Sequence, residues 1–117
     1  MSFDTSLVDR ARARRHRQEE AVRKAALRRL TRLLDEHAAE LGLSEAIIFG
    51  SITHPGRFGE DSDIDIAVEE IGAEALFDAM SLLSSELDRP VDIVRLGECR
   101  FAARIRERGI RWTRTSS

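Results

Sequence analysis

Three stretches decide how this chain folds: Ala46-Ile47-Ile48-Phe49-Gly50-Ser51, then Asp63-Ile64-Asp65-Ile66-Ala67-Val68, then Val91-Asp92-Ile93-Val94. The first is a short apolar run entering a glycine, which predicts a buried strand followed by a turn. The second alternates strictly. Asp63, Asp65 and Ala67 fall on one face and Ile64, Ile66 and Val68 on the other, the pattern of a half-buried strand. The third follows Pro90 and predicts another strand, with Val91 and Ile93 toward the core and Asp92 on the opposite side. Residues two apart on a strand lie about 6.6 Å apart and point the same way. Asp63 and Asp65 are therefore expected to present their carboxylates together, and Asp92 to join them from a different strand.

Outward from these strands the periodicity is helical. From Asp9 to about Leu41, Val22, Ala26, Leu30, Leu33, Leu34 and Leu41 recur at steps of three and four and form one apolar stripe, with Gly42 as the stop. The part before Val22 carries Arg10, Arg12, Arg14, Arg15 and Arg17 with little stripe. Residues 1–9 are expected to be loosely ordered, and residues 1–20 to form a projecting N-terminal helical arm. Residues 50–62 contain Gly50, Pro55, Gly56 and Gly59 and predict an irregular connection. Ala73 to Leu87 predicts a second amphipathic helix, with Leu76, Met80, Leu83 and Leu87 on its stripe. Glu98 to Arg108 predicts a third, with Phe101, Ala102 and Ile105 inward. Gly109 ends that helix, and Ile110-Arg111-Trp112 is a short terminal strand or a docked tail. The expected fold class is α/β (α+β): one domain over residues 1–117, with a small mixed sheet of about three to four strands covered by helices.

Composition narrows the partners. The chain has 117 residues, 42% hydrophobic and 34% charged, with a net charge of −2. Such a chain can bury a core without staples. Its charge balance gives no reason to expect nucleic acid or an acidic membrane. The basic stretch Arg10 to Arg32 lacks interleaved aromatics and is better taken as a solvated or partner-facing helix. Cys99 is the single cysteine, so neither an intramolecular disulfide nor a cysteine-based metal cluster can form. No apolar run approaches the roughly 20 residues of a membrane span, and no apolar leader precedes the first helix. A cytoplasmic location is the expectation.

Three carboxylates brought together repel one another. Hard divalent cations such as Mg²⁺ relieve that repulsion, because they prefer oxygen ligands and are held by carboxylates together with substrate phosphates. Two such ions about 3.5–4 Å apart can stabilise both the attacking and the leaving oxygen of a displacement at phosphorus. Asp92 could accept the proton of the incoming hydroxyl or bridge a metal to it. A lone Asp-x-Asp is more often a turn acid beside a solvated strand acid. The third strand acid and the upstream Gly-Ser reverse that balance here. Gly50 allows a ligand close to the backbone, and the turn amides and the Ser51 hydroxyl suit phosphate oxygens.

Phe49-Gly50-Ser51, Asp63-Ile64-Asp65 and Val91-Asp92-Ile93-Val94 together resemble the nucleotidyltransferase superfamily that includes DNA polymerase beta. The chain looks most like its minimal members, the antitoxins encoded beside HEPN-type toxins. The resemblance implies that Gly50 and Ser51 hold the triphosphate of ATP. It implies that Asp63 and Asp65 bind two Mg²⁺ ions and that Asp92 is the third catalytic and metal-binding carboxylate. It further implies transfer of AMP to a hydroxyl, commonly a tyrosine of the partner toxin, which is thereby neutralised. Other outcomes compatible with the resemblance are an antitoxin that acts by binding alone, or transfer to a small molecule or RNA. One departure stands out. Relatives follow Gly-Ser with a short helix carrying an arginine, whereas here Pro55 disfavours a helical His54. A shortened or interrupted helix is expected, from which Arg57 could still reach the phosphates.

Among the remaining residues, His54 is an ordinary loop histidine more readily than a phosphate contact. His16 and His37 sit in the first helix with no evident site. Glu69 and Glu70 are expected at a solvated strand end. Cys99 is expected to be a small buried residue, and Trp112 to anchor the tail. The sequence contains no tyrosine, so any tyrosine acceptor belongs to another molecule.

Overall fold

The computed structural model describes residues 5–114. The elements are α1 (Ser6–Leu41), β1 (Glu45–Phe49), β2 (Ile64–Val68), α2 (Ala73–Leu87), β3 (Val91–Arg95), α3 (Ala102–Arg108) and β4 (Ile110–Thr113). Two 3-10 turns, Gly50–Thr53 and Leu96–Glu98, follow β1 and β3. The strands form one sheet in the order β3-β2-β1-β4. β1 runs antiparallel to both β2 and β4, while β2 and β3 are parallel. Parallel neighbours need a crossover, and α2 supplies it. The fold is thus the expected α+β domain, with a mixed sheet and a long N-terminal helix.

α1 begins at Ser6, three residues before the expected start. The Asp9 amide donates to the Thr5 carbonyl at 2.9 Å, and an acid in the first turn suits the helix dipole. Residues 6–9 are therefore helical rather than loose; residues 1–4 of that expected segment lie outside the described residues. At the far end Gly42 adopts φ 70°, and the Leu43 amide closes onto the Ala38 carbonyl at 2.9 Å. This is the left-handed stop that glycine makes cheap. Leu30, Leu33, Leu34, Ala38 and Leu41 are buried, with Val22, Ala26 and Leu27 packed beside them. Residues 7–18 are exposed throughout. The helix sets the long dimension of the molecule, 65 Å against 28 and 25 Å.

The sheet has two unequal faces. Ala46, Ile48, Ile64, Ile66, Val68, Val91 and Ile93 meet α1 and α2 in the main core, which includes Ala79 and Leu83 of α2. On the other face Ile47, Ala67, Leu96 and Ile105 form a smaller cluster under α3. Ala67 is fully buried there, so β2 is covered on both faces toward its end rather than half-buried along its length. The alternation could not reveal this, because α3 arrives from far along the chain. α3 itself starts at Ala102, four residues later than expected, behind the 3-10 turn. Phe101, expected inward, is 56% exposed; at the N-cap it precedes the stripe that Ile105 continues. The tail is a strand, and the Trp112 indole N–H donates to Asp35 Oδ1 at 2.8 Å, pinning β4 to α1.

Candidate active site

α3 is only seven residues long and cannot cover its whole face of the sheet. Register places Phe49 opposite Asp65, and Asp65 beside Asp92 on the adjacent parallel strand. These residues share the α3 face with Ile47 and Ala67, but lie at the end that α3 leaves open. A cleft of about 760 Å³ occupies this end, lined by Phe49, Gly50, Arg57, Asp65, Asp92 and the pocket side of α3, among others. Two carboxylates from different strands thus meet in one pocket with the post-β1 turn.

The chain reaches this geometry through Gly50. Its φ is 80°, and a Cβ placed there would lie 2.3 Å from Asp65 Oδ2. The Asp65 carboxylate therefore rests against the Gly50 backbone in space that only glycine leaves free. Beyond Gly50 the 3-10 turn ends at Thr53, whose hydroxyl donates to the Gly50 carbonyl at 2.7 Å. His54 is extended, with φ −117° and ψ 114°, as a residue before proline prefers. The turn is braced from behind: Arg23 of α1 donates to the Ile52 carbonyl at 3.0 Å and is itself held by Glu20.

The segment leading into β2 is tied down by Arg89, which donates to the carbonyls of Gly59 at 2.9 Å and Ser62 at 2.8 Å. Its guanidinium lies 4.4 Å above the Phe58 ring, and Phe58 is buried. The Ile64 amide donates to the Pro90 carbonyl at 3.0 Å. Asp63 and Asp65 thus leave a well-anchored loop end. Arg23 and Arg89 were invisible as site supports in the sequence, because their partners are backbone carbonyls far along the chain.

The expected site residues divide into two groups. Gly50, Arg57, Asp65 and Asp92 line the cleft; Ser51 and Asp63 are not among its lining residues. Asp63 is exposed just before β2 and is felt at Asp65 as charge. Burial, then the carboxylates of Asp92 and Asp63, push the Asp65 carboxyl above the usual carboxylate range. Among the described residues no three His, Cys, Asp or Glu side chains form a group able to hold a metal ion by themselves. An adjacent Asp65–Asp92 pair under mutual repulsion nevertheless fits a hard divalent cation, which completes its shell with phosphate oxygens and water. Cys99, Phe101, Arg104 and Arg108 also line the cleft, beyond the residues the sequence points to. Cys99 is only half-buried. The spacing of Arg104 and Arg108, four apart on a helix, was the available signal.

A family model described as "Polymerase beta, Nucleotidyltransferase" matches residues 31–114. The match takes in the whole cleft and leaves out the exposed outer part of α1. Comparisons with curated proteins and with solved structures gave no match.

Proposed function

The chain belongs to the polymerase beta nucleotidyltransferase family, and from that premise we propose that it moves AMP from ATP to a hydroxyl of a partner protein, a tyrosine of a HEPN-type toxin, and so neutralises it. The observation that carries the reading is the register pairing of Asp65 with Asp92 against Gly50 in one cleft. The lack of tyrosine in the chain supports an acceptor on another molecule.

In this reading Asp65 and Asp92, with the charge of Asp63 close enough to be felt at Asp65, would hold two Mg²⁺ ions. Bound Mg²⁺ supplies positive charge to the reacting phosphate and to the leaving oxygens. Gly50 lets the nucleotide phosphates approach the turn backbone closely. Asp92, exposed in the cleft, takes the proton of the acceptor hydroxyl. The acceptor oxygen forms its bond to the α-phosphorus as the bond to the bridging oxygen breaks. Pyrophosphate leaves, and AMP remains on the partner as a phosphoester.

Incubation with labelled ATP, Mg²⁺ and a HEPN-type partner, followed by mass spectrometry, tests this. Label on the partner that disappears in Asp65→Asn and Asp92→Asn supports the reading. No label, with no ATP binding by calorimetry, refutes it. A second reading, neutralisation by binding alone, is favoured by the absence of Ser51 and Asp63 from the cleft lining. It predicts neutralisation that survives both substitutions.

A further inference from the structure

α3 places two arginines at the cleft. Arg104 and Arg108 both line it, one helical turn apart. Arg106, between them, turns to the other side and pairs with Glu69 at 2.9 Å. Neither Arg104 nor Arg108 forms an ion pair among the described residues, although Asp65 and Asp92 line the same cleft. Arg104 instead lies 5.9 Å from the centre of the Phe101 ring.

A nucleoside triphosphate brings about four negative charges into a cleft that already holds two carboxylates; two Mg²⁺ ions would offset four of these six, so cationic side chains must offset the rest. The 3-10 turn after β1 is only four residues long and offers little helix dipole. Arg57 is a single exposed side chain. We infer that Arg104 and Arg108 form a polyphosphate-gripping wall, holding the β- and γ-phosphates and then the pyrophosphate that leaves. The inference rests on the nucleotidyltransferase reading of the cleft and assigns α3 a ligand-binding part in it. Guanidiniums suit the task, because their planar fork matches phosphate oxygens bidentately.

The test is calorimetric titration of the full chain with ATP and Mg²⁺, and separately with inorganic tripolyphosphate. The variants are Arg104→Gln, Arg108→Gln, the double variant and Arg106→Gln, each checked by thermal melting. Each cleft substitution is expected to weaken ATP and tripolyphosphate binding about tenfold. The double variant should also flatten the salt dependence of binding. Arg106→Gln, the same charge change on the same helix, should leave both affinities within about twofold. Because a lysine restores charge but not the fork, Arg104→Lys should recover only part of the loss. Wild-type affinity in the double variant, or an equal loss in Arg106→Gln, overturns the inference. If ATP still binds and Asp65→Asn still changes that binding, the nucleotidyltransferase reading survives alone. Absence of any ATP binding by the wild type overturns both. An unchanged ATP affinity with a raised KM for the partner protein overturns it too, assigning the arginines to the acceptor instead.

Discussion

Replacing Gly50 with alanine perturbs the fold and the cleft at one atom. The backbone there has φ 80°, and a left-handed non-glycine residue costs about 1–2 kcal/mol. The new Cβ would also stand 2.3 Å from Asp65 Oδ2, 3.2 Å from its Cγ and 3.3 Å from its Cβ. Real Cβ contacts do not fall below 3.0 Å, so the Asp65 carboxylate must retreat by at least about 0.7 Å. Asp65 sits in register against both Phe49 and Asp92, so side-chain rotation is the cheap escape, and it carries the carboxylate off its site. A displacement near 1 Å can cost about a hundredfold in rate. Gly50→Ala is therefore expected to melt lower, by about 4–8 °C for each kcal/mol lost, and to transfer nucleotide about a hundredfold more slowly. Thermal melts and AMP-transfer rates measure the two effects. A double variant separates the causes. Asp65→Ala removes the Oδ2 and Cγ clashes and leaves only the milder 3.3 Å contact with Cβ, so Gly50→Ala added to it should show little beyond the left-handed cost. If Gly50→Ala melts and reacts like the wild type, or is equally costly with and without the Asp65 carboxylate, the reasoning fails.

Three further expectations follow from the same geometry. Asp65 has its carboxyl raised by burial and by Asp92 and Asp63. The folded state therefore binds its proton more tightly than the unfolded state does, and this group lowers stability as pH rises from the ordinary carboxylate range through its elevated pKa. Asp65→Asn should melt higher than the wild type at pH 7, with the advantage shrinking at acid pH, while transfer is lost; an unchanged or lower melt at pH 7 counts against the repulsion. Gly109→Ala puts a Cβ 2.2 Å from Ile47 Cγ2 and 2.7 Å from the Ile105 carbonyl oxygen. Backbone cannot yield as a side chain does, so a loss of about 1–3 kcal/mol is expected in urea unfolding; a loss below about 0.5 kcal/mol would contradict the packing of α3 on β1. Arg89→Ala removes two carbonyl contacts and the stack on Phe58, expected to cost about 2–3 kcal/mol. Arg89→Lys should restore only part of that, and full recovery would show that charge alone matters.

Much of this was legible in the chain. Ile64, Ile66 and Val68 against Asp63 and Asp65 announced a strand with an acidic side, and Ala46 to Phe49 running into Gly50 announced the turn beside it. Local spacing is enough for such features. What stayed hidden depends on contacts distant in sequence. Ala67 is buried because α3 folds back over it. Ser51 and Asp63 miss the cleft wall because the 3-10 turn and the end of the loop decide their placement, not their distance from Gly50 and Asp65. Arg23 and Arg89 hold backbone carbonyls on remote segments, and carbonyls leave no mark in a sequence. Arg104 and Arg108 showed a helical spacing, but only the return of α3 to the sheet gave that spacing a cleft to face.

The parallel pairing of β2 with β3 sets a parity rule for change in this molecule. Asp65 and Asp92 are neighbours by ladder position, so nothing about their partnership depends on how many residues the chain uses to travel between them. Lengthening the surface turns at either end of α2 leaves both acids where they are. Adding or deleting a single residue within either strand turns one acid to the α1–α2 side and delivers an apolar side chain to the cleft. Between the two acids, length variation compatible with the cleft is thus confined to the crossover.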